Sequence, residues 1–341
     1  MIQQALQRLI AREDLTRQEV EGVMAQIADG QATPAQVGAF LTLLRMKGET
    51  SEEIAGAAQV MRARVDRIET AGAQCVDTCG TGGDGQNTFN ISTAAALVAA
   101  GAGAIVAKHG NRSVSSKCGS SDVLAALGVD VEARKETVER CLGSTGIAFL
   151  FAPHHHPAFK AVAALRRELG FRTLFNLLGP LANPAGARRQ VMGVYERRWV
   201  PIVGRVLALL GAEHALVVHG EGQDEIALTG ETLVCEVKHG EVREYTVRPE
   251  EVGLSRCAGA DLAGGDATLN ARILSDVLQG QHGAPRDAVV LNAAAALVVA
   301  GVATDLTDGV RRSAQAIDSG QARNKLRAVV ELTRDAREQR G

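Results

Sequence analysis

From about residue 74 the chain alternates short runs of strand-forming residues with longer helical stretches. This alternation restricts it to a mainly parallel sheet covered by helices. The runs are QCVDTC before a helix from Ser92, AIVAK before a helix from about Ser121, and IAFLFA before a helix from His156. Further on, QVMGVY and ALVVHG flank a helix at about Pro201 to Leu210. EIALTG, TLVCEVKHG and EVREYTV read as antiparallel, with His239-Gly240 at a hairpin tip, and the tail from Val310 returns to helix.

The preceding residues read as a small helical unit. Thr16 and Glu19 form a capping box ahead of Val20, Val23, Met24 and Ile27, which share a helical face. Thr33-Pro34-Ala35-Gln36 opens a second helix with proline where its missing N–H costs nothing. That helix carries Phe40, Leu41 and Leu44 and stops near Gly48. Thr50 and Glu53 start a third, reaching about Val65. The expected division is a helical domain over 1–70 and an α/β domain over 71–341.

Composition excludes several classes. Lys plus Arg number 37 against 39 Asp plus Glu, a net charge of -2, so the basic footprint of a nucleic-acid binder is absent. Aromatics are 3%, leaving few platforms for stacking bases. The longest apolar run, Ala288 to Ala303, is too short to span a bilayer and is broken by Asn292, which suits a buried helix. The six cysteines form no C-x-x-C pair and no zinc spacing. The start, MIQQALQRLIARED, is amphipathic and charged, unlike a signal peptide, so reduced thiols and a cytoplasmic location are expected.

Four segments carry chemistry. Asp77-Thr78-Cys79-Gly80-Thr81-Gly82-Gly83-Asp84-Gly85 lies between a strand and a helix, where glycines let backbone N–H groups approach a phosphate. Lys108 through Asp122 follows the next strand and supplies three cations, several hydroxyls and two glycines, the composition of an anion clamp. Asp224-Glu225, beside two phosphate loops, offers carboxylates to Mg²⁺. The last, FAPHHHP, is followed by a helix with Arg166 and Arg167. Consecutive residues do not share a helix face and no partner ligand set accompanies the histidines, so one imidazole turned into a binding wall fits better than zinc.

Taken together, DTCGTGGDGQNTFNIST, KHGNRSVSSKCGSSDVLAALG, FAPHHHPAFK, LRRELGFRTLFNLLGPLANP and HGEGQDEIALTG resemble the anthranilate phosphoribosyltransferases of tryptophan biosynthesis, over nearly the whole chain. The resemblance implies a homodimer contacting through its N-terminal helices, with the fold of the nucleoside phosphorylase/phosphoribosyltransferase type, a returning helical segment at about 159–181 that completes the helical domain, and a cleft between the domains. It implies transfer of phosphoribose from phosphoribosyl pyrophosphate (PRPP) to the amino group of anthranilate, with two Mg²⁺ per site. Residues implied for PRPP are Gly80, Thr81, Gly82, Gly83, Asp84, Thr88, Asn90, Ile91, Ser92 and Thr93. The second loop adds Lys108, His109, Gly110, Asn111, Arg112, Ser113, Val114, Ser115, Ser116 and Ser120, closing over phosphates and ribose. Gly80, Asn111, His156 and Arg166 are implied for anthranilate, and Ser92, Asp224 and Glu225 for metal. His109 is a candidate catalytic residue acting by positioning; no role transfers to His154 or His155.

Three rival readings are disfavoured. A nicotinamide-binding fingerprint expects an acidic residue about twenty positions after the glycine loop, where this chain has the basic AIVAKHGN. A nucleic-acid-binding paralogue of the fold conflicts with the net charge. A pyrimidine nucleoside phosphorylase suits the two loops less well than PRPP and Mg²⁺ do.

Overall fold

The computed structural model describes residues 1–113 and 117–338. It opens with α1 (Ile2–Ile10), α2 (Arg17–Ala28), α3 (Pro34–Lys47) and α4 (Ser51–Ala63). Thr16, Thr33 and Thr50 each close a capping box, with Glu19, Gln36 and Glu53 respectively. Glu53 does more than cap. It is fully buried, accepts from the backbone N–H of Leu15 and Thr50, and meets Lys47 Nζ at 3.0 Å, so one carboxylate ties the α1–α2 junction to the α3–α4 junction.

The alternating part contains β1 (Val76–Gly80), α5 (Ile91–Gly101), β2 (Val106–Gly110), α6 (Ser120–Ala126), α7 (Lys135–Thr145) and β3 (Ile147–Phe151). A short α8 (Ala152–His155) leads to α9 (Lys160–Leu169) and α10 (Phe175–Leu181). Then come β4 (Arg189–Gly193), α11 (Trp199–Leu209), β5 (His214–Gly220), β6 (Thr232–Lys238) and β7 (Glu241–Val247). The chain closes with α12 (Ala267–Leu278), α13 (Ala284–Ala300), α14 (Leu306–Asp318) and α15 (Gln321–Glu338).

The seven strands form one sheet in the order β3-β2-β1-β4-β5-β6-β7. The first five are mutually parallel and the last two antiparallel. The expected α/β class is therefore present. His239 and Gly240 form the tip between β6 and β7, both with positive φ (50° and 87°), as a two-residue turn matched to strand twist requires.

Two corrections concern element limits. EIALTG is not a strand: Ile226 exchanges backbone hydrogen bonds with the side chain of Asn292 on α13, and the Ala227 N–H donates to Thr232 Oγ1. Its backbone polar groups are satisfied by side chains, and β5 already has a neighbour on each edge. The helix expected from His156 begins at Lys160, after a 3₁₀ turn over Pro157–Phe159.

Strand periodicity distributes the core over the two sheet faces. Val191, Leu216, Val218 and Val234 face one apolar layer, built with α5, α7, α13 and α15. Met192, Val194, Ala215, Val217 and Cys235 face the other, where α11, the first four helices and the α9–α10 segment meet. Phe40, Leu41, Leu44, Phe159, Val162, Phe175 and Leu178 belong to this second layer, which brings the returning segment against the N-terminal helices. The Ala-rich α13 is buried along almost its whole length. Among the described residues no helix is long and apolar enough to cross a membrane.

Candidate active site

The chain progresses outward from β1 to β2 and β3, then returns to place β4 on the other side of β1. The C-terminal ends of β1 and β4 therefore border the crevice in which open α/β sheets bind ligands. Both strands end there in glycine, Gly80 and Gly193, paired in register. Asp224 lies across this pair, and a Cβ on either glycine would run into it. The Gly82 N–H donates to Asp224 Oδ2 at 2.7 Å, and the Asp224 N–H donates to Asp84 Oδ2 at 3.3 Å. Glu225 Oε1 accepts from the Ser92 N–H at 3.0 Å, at the start of α5. The carboxylate pair thus meets both the glycine turn and the helix N-terminus from more than 130 residues away in sequence.

Gly82, Gly83 and Gly85 have φ of 68°, 75° and 81°. Such a turn exposes backbone N–H groups as an anion cradle. Thr81 is fixed to β4 by its N–H on the Gly193 carbonyl and by the Tyr195 N–H on its Oγ1. Thr88 pairs across a bridge with Ala263, while Asn90 accepts from Asn270 and donates to the Cys118 carbonyl. Ile91 and Thr93 are each 1% exposed, so their side chains belong to the core and only their backbone borders the site.

Burial, followed by repulsion from Asp84, pushes the Asp224 carboxyl up to about 7. Burial and then Asp224 push Glu225 up to about 8. Two acids crowded this way suit a cation. Among the described residues no group of three or more His, Cys, Asp or Glu side chains encloses a metal alone. The crowded pair fits Mg²⁺, which uses one or two carboxylates and completes its shell with water and phosphate oxygens.

The second loop divides into a floor and a rim. Lys108 does not close from above as expected: it is 3% exposed, and its Nζ donates to the Thr78 carbonyl and to Ser92 Oγ. Burial pulls this ammonium down, opposed by Asp77, Glu225 and Asp224. The His109 N–H donates to Asp77 Oδ1, and its Nδ1 is 3.2 Å from the Gly179 carbonyl. Gly110 leaves room for the Ser120 side chain, whose Oγ donates to the Asn111 carbonyl. On the rim, Arg112 pairs with Glu132 at 2.8 Å and with Asp122 at 3.6 Å, and the Ser113 N–H donates to Asp122. Val114, Ser115 and Ser116 lie outside the described residues.

The three histidines separate by environment. His154 is exposed, edge-on to Phe151. His155 Nδ1 lies 2.8 Å from the Asp66 carbonyl, and the Asp66 N–H donates back to the His155 carbonyl. His156 turns inward to His109, with ring centroids 5.2 Å apart. His109 Nε2 and both ring nitrogens of His156 are buried without a partner. Burial, then neighbouring histidines, lowers His109 to about 3 and His156 to about 4, so both are neutral hydrogen-bonding groups. Arg166, half-buried on α9, sits 5.9 Å from the Phe175 ring centre and has no ion pair among the described residues.

Sequence reasoning names Asp77 in the glycine-loop segment but gives it no role; it is a fully buried aspartate inside β1 that aligns His109. A charged residue within a strand was its available signal. Sequence reasoning also missed Arg172, stacked on Tyr195.

Known proteins resemble this chain in sequence and fold. Residues 3–65 match the helical bundle domain of a glycosyl transferase family, and residues 72–323 match that family's a/b domain. The chain is 68% identical to an anthranilate phosphoribosyltransferase of Anaeromyxobacter dehalogenans, covering 98% of this chain and 99% of the relative. The chain belongs to the anthranilate phosphoribosyltransferase family. A crystal structure of the anthranilate phosphoribosyltransferase from Thermus thermophilus superposes with a TM-score of 0.92 at 43% identity, over 97% of this chain and 99% of that one. The Saccharomyces cerevisiae anthranilate phosphoribosyltransferase, in complex with PRPP and Mg, superposes with a TM-score of 0.88 at 27% identity, over 98% of each chain. In this member of the family the stretch between the two matched segments contains Asp66, the residue locked to His155.

Proposed function

We propose that the protein transfers the phosphoribosyl group of PRPP to the amino group of anthranilate, giving N-(5-phosphoribosyl)anthranilate and pyrophosphate. The reaction is Mg²⁺-dependent and is the second step of tryptophan biosynthesis from chorismate. The observation that carries this reading is the meeting of Asp224 and Glu225 with the glycine turn and the α5 N-terminus, across the β1–β4 crevice.

Asp224, Glu225 and Ser92 would hold the metal, two ions per site. Bound Mg²⁺ neutralises charge on the pyrophosphate as it leaves. The chain supplies the rest. Lys108 and the N–H groups of the glycine turn stabilise the oxygen that gains charge as the C1–O bond breaks. Gly80, Thr81, Gly82, Gly83, Asp84, Thr88 and Asn90 shape the PRPP side, Lys108 lies beneath them, and His109 to Ser116 with Ser120 are further PRPP contacts. Arg166 receives the anthranilate carboxylate, and Gly80, Asn111 and His156 border the ring. An aromatic amine is already a neutral nucleophile at pH 7, and an imidazole held near 3 is a weak proton acceptor. His109 therefore positions the amine, and alignment of the reactants supplies much of the rate.

The same reading assigns a helical domain over 1–70 with the returning segment, an α/β domain beyond it, and a cytoplasmic homodimer joined through the N-terminal helices. Ile10 and Met46 leave exposed apolar surface there, at 62% and 66%. Light scattering at micromolar concentration tests the dimer. The reaction is tested by loss of anthranilate fluorescence with PRPP and Mg²⁺. Wild type turns over, Asp224→Asn combined with Glu225→Gln falls at least a hundredfold, and an inactive wild type refutes the proposal.

A further inference from the structure

Arg172 lies in the connection between α9 and α10. Its guanidinium is stacked 4.0 Å over the Tyr195 ring. A Cβ placed on Gly83 would stand 2.7 Å from its Nη2, so the guanidinium rests directly against that turn. Among the described residues Arg172 makes no ion pair and no side-chain hydrogen bond, although Asp84 and Asp224 belong to the same crevice. A guanidinium from the α9–α10 connection is therefore held against an anion cradle, without an ion pair among the described residues.

Arg166 has the same character. It stacks on Phe175, lacks an ion pair among the described residues, and stands six residues earlier in the chain. The two arginines differ in what they face. Arg166 lies over the Phe175 ring, whereas Arg172 touches Gly83. Planar guanidinium on an aromatic ring is already oriented, so little side-chain freedom is lost when an oxyanion arrives.

We propose that Arg172 is a second, separate anion contact that binds a phosphate group of the phosphoribosyl donor, and that it links the α9–α10 segment to the glycine turn when the donor is present. This rests on the donor being PRPP, and it extends that reading to a residue outside both phosphate loops. Tyr195 acts on Arg172 by holding the guanidinium in place, a positioning role.

The test compares Arg172→Gln, Arg172→Lys and Tyr195→Leu with wild type. Steady-state KM is measured for each substrate with the other saturating, and Kd for Mg²⁺–pyrophosphate is measured by calorimetry without turnover. Arg172→Gln raises the PRPP KM and the pyrophosphate Kd at least tenfold and leaves the anthranilate KM within twofold. Arg172→Lys keeps the charge but loses the planar fork, and falls between. Tyr195→Leu raises both donor-side constants by a smaller factor. An unchanged pyrophosphate Kd in Arg172→Gln, or a rise confined to anthranilate, overturns the inference. An equal loss in Arg172→Lys accompanied by a lowered melting temperature also overturns it, because that pattern marks a structural role. If wild type bound pyrophosphate through Arg172 yet failed to turn over, the contact would stand and the substrate assignment alone would fall.

Discussion

The backbone carbonyl of Asp224 fills the space that a Cβ on Gly193 would need, so no side chain fits between β4 and the carboxylate-bearing turn. This close approach brings a carboxylate from beyond β5 onto the C-terminal ends of β1 and β4. Gly193 is needed for proximity, not for an unusual φ.

Gly193→Ala is therefore expected to push residue 224 out of line with the Gly82 N–H. The backbone at 224 has little freedom to yield, and overpacking of this kind costs about 1–3 kcal/mol. Turnover should drop more than tenfold, with a raised Mg²⁺ requirement. A metal titration of the initial rate checks this; an unaltered half-saturating Mg²⁺ concentration counts against it.

Replacing Arg166 with alanine should affect one substrate. A charge-assisted hydrogen bond contributes about 1.5–3 kcal/mol, which is roughly 10- to 100-fold in affinity. The anthranilate KM should rise by that factor while the PRPP KM stays within twofold. Comparable changes in both constants would place Arg166 in the shared scaffold of the cleft instead.

His156 gives a pH dependence with a definite sign. Its folded-state pKa of about 4 lies below the unbound imidazole value of roughly 6.5, so the unfolded chain takes up the proton first. Its neutral form is compatible with the fold above about pH 6.5, and stability is lost as pH falls from there toward 4. The slope for one such group is at most about 1.4 kcal/mol per pH unit. His156→Gln should remove that portion, so urea midpoints of variant and wild type converge as the pH is lowered. Parallel curves between pH 7 and 5 would contradict the assignment. Using the difference between the two proteins separates the imidazole from Asp224 and Glu225, whose raised values act with the opposite sign.

Glu53→Ala addresses the helical unit. It strands the Leu15 and Thr50 N–H groups and leaves Lys47 with Asp14 alone. Breaking a buried charged network costs about 3–5 kcal/mol. Urea unfolding followed by circular dichroism should register a loss of that order, and a change under about 1 kcal/mol would show that the junctions do not depend on Glu53.

Much of this was legible in the residues. Capping threonines, strand alternation and the His239-Gly240 tip are local signals, and the structure follows each of them. The glycine turn and the Lys108 loop could be read as anion-binding because both follow strands. EIALTG misled because its alternation mimics a strand, while its hydrogen bonds are filled by Asn292 from distant α13 and by Thr232 at the start of β6. Lys108 was legible as a cation, but its burial beneath the turn depends on Thr78 and Ser92 arriving from another strand and helix. Arg172 was invisible for the same reason: neither Tyr195 nor Gly83 is near it in sequence.

The apolar layer on the second sheet face carries a mechanical consequence. Helices of the N-terminal unit, the α9–α10 segment and strands β4 to β6 share one interior without a seam. Two segments that families treat as separable have here no plane along which to part. Any swing that narrows the crevice must be taken up by bending at the linking stretches, such as the one anchored by Asp66 and His155, because sliding would expose that oily joint to solvent.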